Sequence, residues 1–296
     1  MTEAARPADV WPAAKEAHTH LGTIEYRDVG EGPVIVFLHL VLAEASHWDK
    51  MPPLLADRFR CIFPTLPMGA HRLAADDDAD LSAAGLARAV AELLEHLEVN
   101  EVTLVGNDSG GAIAQVVAAN HPERLGRVVL TNCDLYDDFP PKIFGYFRLL
   151  PYLPGSLVIL GHTLKIRALW GLPFVFGRLT NQVDAVKIDR WADALLADKR
   201  VRRDARKVIK GFGPHVTNAA AAALRSTKLP VLVAWGADDK AFRPALAERF
   251  CAEVPTAELV MIEDCRTLVC WDQPQQLARL ISEFIAAGPA SDTTPR

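Results

Sequence analysis

Residues 101–119 read EVTLVGNDSGGAIAQVVAA, and their types and spacing suit a nucleophile. A short β-branched run ends at Val105 and a helical pattern begins at Ala112; between them Gly106-Asn107-Asp108-Ser109-Gly110 fits glycine–x–nucleophile–x–glycine. A nucleophile presented this way sits on a sharp, strained strand-to-helix turn. The residues two before and two after it must be small for strand and helix to approach. That register puts Asp108 in the reactive position. Reading Ser109 there would place Asn107 where the close approach needs a glycine. The N–H of the next residue, together with the helix N-terminus, then faces any charge developing on oxygen. The glycines do not fit G-x-G-x-x-G, so the segment does not describe a dinucleotide site.

Such a turn needs a sheet behind it and helices beside it. Strand-like runs recur at 34–38, 60–63, 102–105, 128–130, 231–235 and 259–262, each bounded by Gly, Pro, Asn or Asp. Helical patterns sit between them: Leu86, Val90, Leu93, Leu94 and Leu97 share one face, as do Leu277, Leu280, Ile281 and Phe284. Strands alternating with helices, apolar enough for burial on both faces, predict an α/β fold with a mostly parallel sheet and helices on each side. The alternation breaks between about 135 and 226, where Tyr136, Phe139, Phe144, Tyr146, Phe147, Tyr152, Trp170, Phe174, Phe176 and Trp191 fall among Pro and Gly. This stretch is expected to be an inserted helical lid whose aromatic face walls an apolar pocket. The basic run DKRVRRDARKVIK at 198–210 is expected to be one solvated helix face.

Composition bounds the function. The 296 residues are 50% hydrophobic and 23% charged, enough for a large core and not for a disordered chain. Thirty-two Lys+Arg against 37 Asp+Glu give a net charge of −5, which argues against nucleic acid as a partner. Cys61, Cys133, Cys251, Cys265 and Cys270 are an odd set without a C-x-x-C pair, so they are expected as reduced thiols in a cytoplasmic protein. The N-terminal residues lack the apolar stretch of a signal peptide. The longest charge-free apolar run, 149–164, carries Pro151, Pro154 and Gly155 and is shorter than the ~20 residues of a spanning helix. No membrane, metal or cofactor is expected; the expected partner is a small apolar substrate, with a homo-oligomer left open.

The chain resembles the α/β-hydrolase fold superfamily, and an Asp at the nucleophile position makes it similar to the haloalkane dehalogenase and epoxide hydrolase branch. The resemblance covers about 22–134 and 227–287 as the core, with 135–226 as the cap, 1–21 as a leader and 288–296 as a tail. It implies that His39-Leu40 stands at the family's strand-end His-Gly motif. It also implies that Asp239, in Trp235-Gly236-Ala237-Asp238-Asp239, is the triad acid, with Asp134 a weaker alternative. The N–H groups of Val41 and Ser109 would form the oxyanion hole.

Three departures follow from the same resemblance. After the last strand the family places a histidine, whereas Glu263-Asp264-Cys265-Arg266-Thr267-Leu268 puts Thr267 in that slot, and no histidine follows His215. An Asp nucleophile attacks as a carboxylate and needs no base, but release of the resulting ester needs a water activated by a group titrating near neutrality. Neither Thr267 nor Arg266 is such a group. His71, on a loop near the active site in this fold, is the candidate substitute, and Arg266 is expected to pair with Asp239. Second, Leu40 replaces the glycine that lets the backbone turn. Third, Ser109 stands where a dehalogenase places Trp, and Tyr136, Tyr146 and Tyr152 are candidates for the cap tyrosines that protonate an epoxide oxygen. The expected function is a hydrolase-like enzyme with Asp108 as nucleophile. A cofactor-free lyase, isomerase or cyclase, and a catalytically silent binding protein, are the alternatives.

Overall fold

The computed structural model describes residues 11–287. Eight strands form one sheet: β1 (Lys15–Thr19), β2 (Gly22–Val29), β3 (Val34–Leu38), β4 (Arg60–Thr65), β5 (Val102–Asp108), β6 (Leu125–Cys133), β7 (Val231–Gly236) and β8 (Ala257–Ile262). Their order is β1-β2-β4-β3-β5-β6-β7-β8; β1 and β2 pair antiparallel, and the six from β4 to β8 run parallel. The central strands are apolar on both faces because helices cover both.

Those helices are α1 (Pro52–Leu55), α2 (Ala83–His96), α3 (Ser109–Asn120), α4 (Ser156–Leu164), α5 (Ala185–Ala197), α6 (Lys199–Gly211), α7 (Pro214–Leu224), α8 (Pro244–Glu253), α9 (Val269–Asp272) and α10 (Pro274–Ala286). The Ser82 hydroxyl accepts from the Gly85 N–H and starts α2, whose Leu86, Val90, Leu93 and Leu94 are buried. Helices α2, α3 and α7 pack side by side in one layer, while α1 and α9 flank α10 in another.

Between β6 and β7 the chain leaves the sheet. Two 3₁₀ turns (Lys142–Arg148 and Leu150–Tyr152), α4, α5 and α6 form an insertion with its own small core of Leu157, Leu195, Ala205 and Ile209. Two expected boundaries move. Helix α7 packs on α3, so the insertion returns to the core near Gly213 rather than Ser226. The expected leader contributes β1 from Lys15, with Ala17 and Leu21 buried; its first ten residues, and the tail 288–296, lie outside the described residues.

The solvated face expected for 198–210 exists at Lys199, Arg200, Arg206 and Lys210, but α6 also buries Asp204. Among the described residues no helix is long and apolar enough to cross a membrane.

Candidate active site

The sheet order reverses on either side of β3 and β5, and a crevice opens beyond the carboxyl ends of strands at such a point. Leu38 is the ladder partner of Gly106, so the loop after β3 and the turn after β5 meet there. Asp108 occupies that turn at φ 54°, ψ −130°, a strained conformation for a residue with a side chain. The flanking glycines are required by contact. A Cβ on Gly106 would lie 2.6 Å from the Gly110 carbonyl oxygen, and one on Gly110 would lie 2.3 Å from that of Leu38.

Asp108 faces a cavity of about 560 Å³. Leu40, Val41 and Leu42 line it from the core, and the insertion adds Phe139, Phe144, Phe147, Phe174, Phe176 and Trp191. The polar side chains on this wall include Asp108, Ser109 and Asp134. Burial pushes the Asp108 carboxyl up to about 6, opposed by the backbone N–H and hydroxyl of Ser109. That N–H donates to Oδ1 at 2.6 Å.

The second expected oxyanion donor is directed elsewhere: the Val41 N–H donates to Ser109 Oγ at 2.7 Å. The loop turns without the usual glycine by placing Leu42, not Leu40, at φ 62° and donating the Leu42 N–H to the Met68 carbonyl. His39 is fully buried and does not line the cavity. Its Nε2 accepts from the Leu66 N–H at 2.9 Å, which fixes the neutral tautomer with Nδ1 donating to the Leu40 carbonyl. Burial pushes it down to about 4.

Asp239 and Thr267, on the loops after β7 and β8, are in direct contact. Asp239 Oδ2 accepts from the Thr267 hydroxyl at 2.9 Å and from Asn132 Nδ2 at 2.6 Å, while Oδ1 accepts from the N–H groups of Ala241 and Phe242. Burial still pushes the carboxyl up to about 7, against those four donors. Thr267 is fully buried.

Asn107 ties this corner together. Its Nδ2 donates to the carbonyls of Thr131, Asn132 and Thr267, and its Oδ1 accepts from His47 Nε2 at 3.0 Å. The sequence reading missed Asn107, Asn132 and His47. Only Asn107 carried a signal, its place beside Asp108 in the turn motif.

Four expected site residues are elsewhere. His71 is no substitute base: Nδ1 accepts from the Gly69 N–H and Nε2 donates to buried Asp204 at 3.2 Å, joining core to α6. Arg266 does not pair with Asp239. Its guanidinium donates to the carbonyls of Gly177 and Thr180, because the cap passes over it. Tyr136 turns away from the cavity, its hydroxyl donating to Glu253 at 3.2 Å under the Arg249 guanidinium. Tyr146 does line the cavity, but its hydroxyl donates to the Phe174 carbonyl at 2.9 Å. Tyr152 is two-thirds exposed, outside the cavity. Among the described residues no group of three His, Cys, Asp or Glu is placed to hold a metal.

This sheet, turn and cavity are those of the α/β-hydrolase fold, and residues 33–274 match the alpha/beta hydrolase fold family. The chain belongs to that family and is a hydrolase-like enzyme, with a haloalkane dehalogenase among its relatives. It is 27% identical over 278 residues to a 2-hydroxy-6-oxo-6-phenylhexa-2,4-dienoate hydrolase of Burkholderia cepacia, covering 90% of this chain and 92% of that one. It is 27% identical over 267 residues to haloalkane dehalogenase 2 of Mycobacterium tuberculosis, covering 88% and 91%. The structure of epoxide hydrolase CorEH superposes with a TM-score of 0.75 at 20% identity, covering 93% of this chain and 99% of that one.

Proposed function

We propose that the protein acts on a small apolar molecule held under the cap, with Asp108 as the nucleophile that takes the substrate's carbon as an ester. The observation that carries this is the strained Asp108 on its glycine-flanked turn, aimed into an apolar cavity with one backbone N–H on its carboxylate. The carboxylate attacks directly, and the second oxygen stays held by Ser109. The ester's release proceeds without histidine, since the triad position holds Thr267 and no histidine lines the cavity among the described residues. Asp239 and Thr267 keep the scaffold of that corner and supply no base.

Intact-protein mass spectrometry after incubation with haloalkanes, epoxides and activated esters tests this reading. Wild type is expected to gain substrate mass or form product, and Asp108→Asn to do neither. Equal adduct or turnover in Asp108→Asn would remove Asp108 from the role.

One observation favours a second reading. A carboxyl held at about 6 is placed for proton transfer near neutrality, which suits Asp108 as the general base of a non-hydrolytic elimination or isomerisation. Product lacking both an added water and any covalent intermediate would support that reading over the first.

A further inference from the structure

A second carboxyl faces the same cavity. Asp134 follows Cys133, the ladder partner of Asp108, so it stands one residue beyond the nucleophile on the adjacent strand. Neighbouring strands run about 4.8 Å apart. Asp134 lines the cavity with Asp108 yet is only 2% exposed. Its Oδ1 is buried without a hydrogen-bond partner among the described residues. Gln115, the nearby amide, donates to the Asp134 backbone carbonyl rather than to the carboxyl.

The two carboxyls are therefore unequal. Asp108 has the Ser109 N–H on its oxygen and can hold charge, whereas an ionised Asp134 would lie in an apolar wall with its own backbone N–H as donor and Oδ1 unpaired. Two adjacent carboxyls in such surroundings separate into one that is ionised and one that keeps its proton. Burial first, and the charge of Asp108 second, push Asp134 well above the usual carboxylate range.

We propose that Asp134 is the acid–base partner of Asp108, protonating an oxygen that leaves the substrate carbon and later taking a proton from the water that frees the ester. The inference rests on the reading of Asp108 as nucleophile, and it selects a strained cyclic ether as the substrate class. The Asp108 carboxylate forms a bond to a ring carbon as that carbon's bond to oxygen breaks. The departing electron pair takes the Asp134 proton, leaving an ester, a hydroxyl and an Asp134 carboxylate. Water then adds to the ester carbonyl while Asp134 accepts its proton. Collapse expels the second alkoxide, which takes the proton of the resulting Asp108 acid, and both carboxyls return to their starting states.

A halide leaves without a proton. An ester formed from a halide therefore finds Asp134 still protonated and unable to activate water, so it persists. This chemistry gives the site an acid–base group in place of the absent histidine.

The test compares hexene oxide with hexyl bromide on wild type, Asp108→Asn and Asp134→Asn, following added mass and diol. Wild type is expected to turn over hexene oxide and to retain the hexyl group from the bromide. In Asp134→Asn the ratio of the epoxide rate to the bromide rate should fall at least about 100-fold. An unchanged ratio overturns the role of Asp134 while leaving Asp108 as nucleophile. Loss of both reactions in equal proportion, with an unchanged ratio, marks Asp134 as structural and also overturns it. Absence of any adduct or product in wild type removes the nucleophile reading and this inference with it. Infrared difference spectra of wild type against Asp134→Asn give an independent readout. A protonated-carboxyl band at neutral pH, lost in the variant, is expected; its absence in wild type overturns the proposal.

Discussion

Thr267 touches Asp239, and on the proposed function it stands where a histidine would act, without that residue's proton chemistry. Its hydroxyl donates at 2.9 Å, and no alcohol titrates near neutrality. Replacing it restores a group of the right kind: in Thr267→His the hexyl ester on Asp108 is expected to be released about 10²–10⁴-fold faster, read as decay of the added mass. The position is fully buried, so the same variant should lose about 1–3 kcal/mol of stability in urea unfolding. An unchanged ester lifetime would locate the barrier in the loop after β3, where the Val41 N–H serves Ser109. The turn motif put Asp108 between strand and helix, and the family resemblance put Asp239 and Thr267 after the last two strands, where the structure has them in contact. The sequence reading misplaced Arg266 and His71 because direction is not legible in spacing: a long or planar side chain goes where its donors find acceptors. For Arg266 those are the carbonyls of Gly177 and Thr180, and for His71 the carboxylate of Asp204.

At the scale of elements, two junctions hold the site. The first is the packing of α3 on the end of β3, where Gly110→Ala would drive a Cβ to 2.3 Å from the Leu38 carbonyl oxygen. About 3 kcal/mol or more of stability should be lost, and the chemical-denaturation midpoint measures it. The second is α6 on the core. Buried Asp204 accepts from His71, from the Ala75 N–H and from Arg203. Asp204→Ala strands those donors, and a loss of about 3 kcal/mol is expected, with α6 amides exchanging faster before β5 amides do. Faster exchange spread equally over both elements would show that the cap and core open as one. The parallel strands were legible because they are continuous apolar runs. β1 (KEAHT) and β2 (GTIEYRDV) were not, since strands at the antiparallel edge keep polar residues on their open side and lack the apolar density of a buried strand. The end of the cap was misjudged at α7 because Ala219–Ala223 carries no pattern that tells a cap helix from a core one.

At the scale of the molecule, buried titratable groups make stability depend on pH in both directions. Asp108 moves from its ordinary 3.8 to about 6, so between those values the folded chain binds a proton that the unfolded chain has lost, and stability falls as pH rises. Asp239, held at about 7, acts in the same sense. His39, pushed from 6.5 to about 4, acts oppositely, since there the unfolded chain binds the proton. These last two terms are common to wild type and Asp108→Asn and cancel in their difference. The stability of Asp108→Asn relative to wild type is therefore expected to climb from about pH 4 to 6 and level off above, by about 1–3 kcal/mol in total. A flat difference across that range would mean that Asp108 keeps an ordinary carboxyl. The contacts around Arg266 reach further than the site itself. The loop bearing Thr267 is sewn to residues 177–181: the Leu268 N–H donates to the Leu179 carbonyl, Asn181 to the Asp264 carbonyl, and Thr180 to Asp272. In modular terms, the unit that can be exchanged between relatives is not the insertion alone. A graft that takes the lid must carry 264–272 with it, and a graft that leaves this loop behind breaks the seam on which Thr267 is mounted.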